Sequence, residues 1–280
     1  MKMKKCSLWV SFVAAILLLL GACGGIGDGN TASTSSTTAG DPANQVTVTD
    51  IKEAGVLKVG VKEDVPGFGL RNTDSNEIEG YEIDLAKSIA KEMLGDENAI
   101  ELTPVTAKTR GPLLDNGEVN MIIATFTITE ERKETYNFTD RYYEDAVGLL
   151  VKKSEGYKGL KDMDGATIGV SQSSTTKEAI LAEAEQYGIE LNFSEYATYP
   201  EIKAALDAGR LQAFSVDRSI LAGYLDDTSE ILPDRFAVQD YGIAIKKQNT
   251  ELADYVNDLV KKWEKEGMLA DKQAEWGIGE

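Results

Sequence analysis

From residue 46 onward, short β-branched apolar runs alternate with stretches of helical periodicity, and this alternation constrains the fold more than any other feature of the chain. Residues 56–61 (Val-Leu-Lys-Val-Gly-Val) read as a strand. Residues 81–93 read as a helix with Ile83, Ala86, Ala90 and Met93 on one face. A short apolar strand at 119–124 is followed by a helix over 129–136, and a strand at 167–171 by a long helix over 176–187. Residues 200–208 suit a helix, with Pro200 in its first turn and Gly209 at its stop. Residues 211–216 then make a strand ending at Asp217. A last helix over 252–265 carries Leu252, Val256, Leu259 and Trp263 as a core stripe. Such alternation implies an α/β fold of parallel sheets flanked by helices.

Ligands of these sheets sit beyond the carboxyl ends of strands, beside helix N-termini. That rule points to residues 125–132, to residues 173–176 and to Asp217. In the first segment, Ala124-Thr125-Phe126-Thr127-Ile128-Thr129-Glu130-Glu131-Arg132, hydroxyls and free backbone N–H groups gather at a helix start with an arginine in its first turn. A helix N-terminus beside a forked guanidinium is a site for a carboxylate. The same residues also fit plain capping, with Thr127 or Thr129 as N-cap and Arg132 in solvent. Ser173-Ser174-Thr175-Thr176 repeats the pattern and has the same alternative. Asp217 adds an anion suited to an ammonium group. A carboxylate cradle with one acidic partner describes the backbone end of an amino acid.

Composition removes several classes of function. The chain has no histidine, so a His general base, a Ser-His-Asp triad and any His-containing metal site are excluded. Its two cysteines, Cys6 and Cys23, both lie near the N-terminus, which leaves no disulfide or cysteine zinc site for the folded part. No catalytic residue, metal or cofactor is assigned. Against 47 Asp and Glu stand 29 Lys and Arg, a formal charge of −18, which argues against nucleic acid and against a polybasic membrane patch.

The N-terminus reads as an address. Lys2, Lys4 and Lys5 precede an apolar run from Leu8 to Leu20, a signal-peptide layout too short for a comfortable membrane span. The run ends in Leu20-Gly21-Ala22-Cys23, which resembles the bacterial lipobox. That resemblance implies a diacylglyceryl group on the Cys23 thiol and cleavage before it, so residues 1–22 form a lipoprotein signal peptide. Residues 23–45, rich in Gly, Ser, Thr and Ala, form a flexible tether. The expected location is extracytoplasmic, lipid-anchored to the cell membrane.

Gly80-Tyr81-Glu82-Ile83-Asp84-Leu85, followed by Ile89-Ala90 and Met93, resembles the signature of bacterial solute-binding proteins of family 3, the polar amino acid receptors of ABC uptake systems. The likeness extends over the folded part through Gly111-Pro112-Leu113-Leu114, the Ala-Thr-Phe-Thr-Ile-Thr turn, Phe138-Thr139-Asp140, Tyr142-Tyr143 and residues 204–209. It implies a two-lobe, periplasmic-binding-protein-like clamshell of type II, each lobe a mostly parallel sheet flanked by helices. Lobe 1 would comprise 46–144 and 242–280, lobe 2 147–240, with a hinge near 144–147 and 241. By the same resemblance Arg132 holds a ligand α-carboxylate with help from Thr125, Thr127 and the turn at Ser174 and Thr175, while Asp217 holds the α-ammonium. One departure is Ser173, where many members carry glycine.

The subgroup follows from two cations. Residues 106–112, Thr-Ala-Lys-Thr-Arg-Gly-Pro, resemble receptors for glutamate and aspartate, in which Arg110 would reach the side-chain carboxylate. Lys62 ends the first strand, where relatives that bind basic amino acids carry an acid. Surface solvation is the alternative for both. Phe68 is placed over the ligand's aliphatic part, and Tyr199 and Tyr241 serve equally as ligand contacts or hinge packing. The expectation is a monomeric, non-enzymatic receptor for an acidic amino acid, with ABC permease subunits and their ATPase as partners. The alternative is an extracytoplasmic enzyme on the same fold, like cyclohexadienyl dehydratase, whose catalyst would be Glu, Asp, Lys or Tyr.

Overall fold

A computed structural model describes residues 45–279; the segment read as a signal peptide, and all but the last residue of the one read as a tether, lie outside the described residues. The chain opens with α1 (Val48–Ala54), started by a capping box between Thr47 and Asp50. Then follow β1 (Leu57–Val61), β2 (Asp64–Val65), β3 (Gly69–Arg71), β4 (Ile78–Glu79), α2 (Tyr81–Leu94), β5 (Ile100–Pro104), α3 (Arg110–Asn116), β6 (Met121–Ile123), α4 (Glu130–Thr135) and β7 (Tyr136–Phe138). The long strand β8 (Tyr143–Lys152) leads to β9 (Thr167–Ser171), α5 (Thr176–Tyr187), β10 (Asn192–Tyr196), α6 (Tyr199–Asp207), β11 (Ala213–Asp217), α7 (Arg218–Ala222), β12 (Ser229–Ile231) and β13 (Phe236–Tyr241). The chain returns through β14 (Ala244–Lys246) and ends in α8 (Thr250–Glu266) and α9 (Met268–Glu275). The strands and helices read from sequence are all present, with ends shifted by a few residues.

These elements form two sheet-centred lobes. One sheet has the order β5-β1-β6-β14-β7; the other has β10-β9-β11-β8-β12, with β13 also paired to β8. The expectation of mostly parallel sheets needs correction, because both sheets are mixed. β5, β1 and β6 run parallel, as do β10, β9 and β11. β14 is antiparallel to both its neighbours, and β8 is antiparallel to β11, β12 and β13. The physical reason is the path of the chain. β8 and β14 enter their sheets directly from the other lobe, with no crossover helix to reverse direction.

The two crossings lie side by side, since Tyr143 pairs with Tyr241, Glu144 with Asp240 and Asp145 with Gln239. Lobe 2 has its own core around Val147, Leu149, Ile168 and Phe236. The first lobe buries Leu114, Ile122 and Phe126 on one side of its sheet. The largest cluster runs from lobe 1 residues such as Val61 and Phe68 to lobe 2 residues such as Tyr199, Ile202 and Phe214. Apolar packing therefore continues across the junction, as in a closed clamshell.

Two glycines are set by close approach. At Gly80, with φ 145°, a Cβ would stand 2.2 Å from the Phe68 carbonyl oxygen, so the loop before β3 reaches the start of α2 only over a bare backbone. At Gly223 a Cβ would meet Pro66 Cβ at 2.7 Å, which is where the lobes touch.

Candidate functional site

Four strand ends converge where the lobes meet. β1 delivers Lys62, β6 leads into residues 124–132, β9 leads into residues 172–175, and β11 ends at Asp217. The last two belong to lobe 2, so the site is shared between the lobes.

The turn after β6 is unusual. Thr125 has φ 44°, a conformation that a β-branched side chain adopts only under constraint. Its N–H donates to Glu82 Oε1 at 2.6 Å, and the Tyr142 hydroxyl donates to the same oxygen at 2.6 Å. On the far side, Arg110 donates from one guanidinium nitrogen to the carbonyls of Ala124 (2.7 Å) and Thr125 (3.0 Å). The Arg110 guanidinium also lies 3.9 Å from the centre of the Phe126 ring. Thr129 caps α4 by accepting from the Arg132 N–H, so Thr129 and not Thr127 is the N-cap. Thr127 is thereby left to donate its hydroxyl to Gln239 Oε1 at 2.8 Å.

Arg132 reaches across the cleft. It donates to the Thr127 carbonyl at 2.8 Å and to the Ser173 carbonyl of lobe 2 at 3.3 Å, over the Phe126 ring. Together with Ser174, Thr175 and Glu178 it lines an open pocket of about 440 Å³ at the mouth of the cleft. On the lobe 2 side, Ser173 has φ 60°, Ser174 Oγ donates to the Ser171 carbonyl at 2.8 Å, and Thr175 Oγ1 donates to Gln239 Oε1 at 2.8 Å. The left-handed Ser173 explains why glycine suits this position.

Asp217 begins α7 yet makes no side-chain cap to it; its carboxylate accepts from the Tyr241 hydroxyl instead. Asp145 does the capping by accepting from the Ser219 N–H. Lys62 is buried, paired with Asp64 at 2.9 Å, and its ammonium lies 4.6 Å from the centre of the Tyr199 ring. Asp64 also accepts from the Tyr199 N–H and, through its carbonyl, from the Tyr224 hydroxyl, which ties this loop to lobe 2. Phe68 is fully buried, edge-on to Tyr81, Tyr143 and Tyr241 on the hinge side of the site.

Burial dominates the electrostatics. It lowers the proton affinity of Lys62, Arg110 and Arg132, and the Arg110 charge adds to this at Lys62 and Arg132. Both guanidiniums nevertheless keep their charge, since arginine does not deprotonate in proteins. Burial pushes Asp217 up to about 7, helped by Asp145 and opposed by the Tyr241 hydrogen bond, Arg110 and Arg132. It pushes Glu82 up to about 7 as well, against Tyr142, the Thr125 N–H, Lys62 and Arg110. Among the described residues, the hydrogen bonds of Arg110 and Arg132 go to carbonyls and not to carboxylates. A buried guanidinium (Arg110) and a half-buried one (Arg132), both bonded to carbonyls, form an arrangement suited to an anion.

The structure thus gathers Lys62, Arg110, Thr125, Thr127, Arg132, Ser174, Thr175, Tyr199 and Asp217 at one junction, with Phe68 behind it. Sequence reasoning missed two residues. Glu82 lay inside a quoted motif but drew no role, because acids are common in a helix's first turn. Gln239, which joins Thr127 of one lobe to Thr175 of the other, carried no local signal at all.

Residues 57–279 match the family described as bacterial extracellular solute-binding proteins, family 3. The chain belongs to this family. Among relatives of this solute-binding protein, the ABC transporter glutamine-binding protein GlnH of Bacillus subtilis is 37% identical over 93% of this chain and 92% of its own. The glutamate-binding protein GluB of Corynebacterium glutamicum is 33% identical over 77% of this chain and 76% of its own. Among solved structures, the solute receptor for L-cysteine of Neisseria gonorrhoeae has a TM-score of 0.74 at 26% identity, covering 82% of this chain and 93% of that one. Within the described residues, no helix of the solute-binding protein is long and apolar enough to cross a membrane.

Proposed function

We propose that this solute-binding protein is lipid-anchored through Cys23, captures an acidic amino acid (aspartate or glutamate) between its lobes, and delivers it to an ABC permease. The observation that carries the reading is Arg110. The residue is 3% exposed, its guanidinium is bonded to carbonyls, and the second buried cation Lys62 lies near it. In this reading Arg132, with Thr125, Thr127 and the turn at Ser174 and Thr175, takes the α-carboxylate. Asp217 and Tyr241 receive the ammonium. Arg110 and Lys62 take the second carboxylate, which an amide cannot replace without losing charge assistance.

Titration calorimetry against a panel of amino acids tests this. Aspartate or glutamate should bind more tightly than asparagine and glutamine by about 2 kcal/mol. A preference for glutamine over both acids overturns the acidic reading. That second reading has specific support in the glutamine-binding relative and in the Lys62–Asp64 pair, which already neutralises one of the cations.

Capture without chemistry is also part of the proposal. Incubation with prephenate or arogenate should yield no aromatic product, and formation of one would revive the dehydratase alternative. The anchor has its own test. Cys23→Ser should bind ligand as the wild type does and leave the membrane fraction, and a mutant that stays with membranes in high salt would exclude lipidation as the anchor.

A further inference from the structure

Closing the cleft puts three cations (Lys62, Arg110 and Arg132) among three carboxyl groups, those of Asp64, Glu82 and Asp217. Asp145, beside Asp217, is set against Arg235. An acidic amino acid adds one net negative charge to this closed set, and an uncompensated charge in a buried site is costly. One of the carboxyl groups is placed to remove it. Asp64 is committed to Lys62 and to the Tyr199 N–H, and Asp217 to Tyr241 and, in the reading above, the ligand's ammonium. Glu82 is fully buried. Its Oε1 accepts from Thr125 and Tyr142, while its Oε2 accepts from no protein donor.

We propose that Glu82 takes up a proton from solvent, at Oε2, as an acidic amino acid closes into the cleft, so that capture of the second carboxylate is coupled to proton binding. This rests on the acidic-ligand reading of the same site. The groups facing Glu82 are the Thr125 N–H, the Tyr142 hydroxyl with Tyr81 behind it, Lys62 and Arg110. Burial alone favours the neutral acid, and Lys62 and Arg110 are among the groups that hold it ionised. A ligand carboxylate that engages those two cations withdraws their support and adds a like charge nearby, and both effects favour protonation. Glu82 is then a positioning residue that holds the Thr125 turn and also sets the charge of the pocket.

The test is calorimetric titration of the whole protein with aspartate or glutamate at several pH values between 6 and 9, in buffers of differing ionisation enthalpy. The slope against that enthalpy counts protons. Asp217 contributes equally to wild type and to Glu82→Gln, so the difference between them isolates Glu82. Wild type should take up more protons than Glu82→Gln, most clearly just above pH 7, and the acid affinity of Glu82→Gln should vary less with pH. A merely structural role for Glu82 predicts a weaker variant with an unchanged proton count, and that result overturns the proposal. Should Glu82→Gln fail to fold, Tyr142→Phe serves instead. It removes a bond to the ionised carboxylate, so the uptake window should move to higher pH, and an unmoved window is equally fatal. If wild type binds neither acid, the acidic reading falls in that first titration and takes the proposal with it.

Discussion

The turn after β6 in lobe 1 and the turn after β9 in lobe 2 face each other across the cleft, each with one non-glycine residue in the left-handed region, Thr125 at φ 44° and Ser173 at φ 60°. Their means of support differ. The lobe 1 turn is held by ionisable side chains, Glu82 on its N–H and Arg110 on its carbonyls. The lobe 2 turn is held by neutral groups, Ser174 on the Ser171 carbonyl and Thr175 on Gln239, and is partly exposed. All three cations come from lobe 1, while lobe 2 brings Asp217. The comparison teaches a division of labour. In the proposed function, lobe 1 reads the ligand's carboxylates, and lobe 2 closes over it, supplying hydroxyls and the partner for the ammonium. A ligand that binds the closed state more tightly shifts the protein towards it.

The largest break of that division is Arg132→Ala. It removes the cation that touches both turns, and losing a partner of a buried charge pair costs about 2–5 kcal/mol, or roughly 30- to several-thousand-fold in affinity. Calorimetry should show this loss for acids and amides alike, because the α-carboxylate is common to both. Arg110→Gln should act differently, narrowing the gap of about 2 kcal/mol between acids and amides chiefly by weakening the acids. Lys62→Ala should narrow it less, since Lys62 is already shared with Asp64. Equal weakening of acids and amides by Arg110→Gln would remove Arg110 from specificity.

The closing lobe can be tested without touching a ligand contact. Gly223 has an ordinary helical φ of −70°, so Val fits its backbone, yet a Cβ there meets Pro66 of lobe 1. Overpacking of this kind costs about 1–3 kcal/mol and falls only on the closed form, so Gly223→Val should weaken every ligand by roughly 5- to 150-fold. Solution scattering with saturating ligand should show less contraction than in wild type. Wild-type affinity would mean that the Pro66 contact forms no part of the bound state.

How much of this was legible in the sequence depends on the range of the signal. The helix beginning at Tyr81 and the strand ending at Asp217 were readable because periodicity and strand-end position are local. Glu82 and Gln239 were not, because each matters through a partner distant in the chain. Glu82 meets Thr125 43 positions away, and Gln239 meets Thr127 112 positions away. The mixed sheets were hidden for a related reason. A strand's own residues report that it is buried, whereas its direction depends on which lobe the chain arrives from.

A smaller effect concerns pH. Asp217 stands at about 7 in the folded protein, well above an unfolded carboxylate. A raised pKa stabilises the fold below the unfolded value, and that contribution is lost as pH rises through the folded value. Without ligand, the melting temperature of wild type relative to Asp217→Asn should therefore fall between about pH 4 and pH 7. A flat difference would mean that the carboxylate is not desolvated.

The smallest expected change, and the one that sharpens the comparison most, is glycine at the two left-handed positions. A non-glycine residue in this region costs on the order of 1–3 kcal/mol, and glycine relieves it while losing roughly 0.5–1 kcal/mol to unfolded-state entropy. At Ser173 nothing else is at stake. The residue is exposed, its carbonyl remains available to Arg132, and the turn keeps its Ser174 bond. Ser173→Gly should thus raise stability by roughly 0–2.5 kcal/mol and leave affinity unchanged. Thr125→Gly relieves the same kind of strain but removes a buried β-branched side chain from a turn that Glu82 and Arg110 hold in place. The freed backbone has less reason to keep its N–H on Glu82, so affinity should drop even if stability does not. Denaturant melts and titrations of both variants make the comparison. If Ser173→Gly loses as much affinity as Thr125→Gly, the lobe 2 turn is as finely set as the lobe 1 turn, and the division between a reading lobe and a closing lobe does not hold.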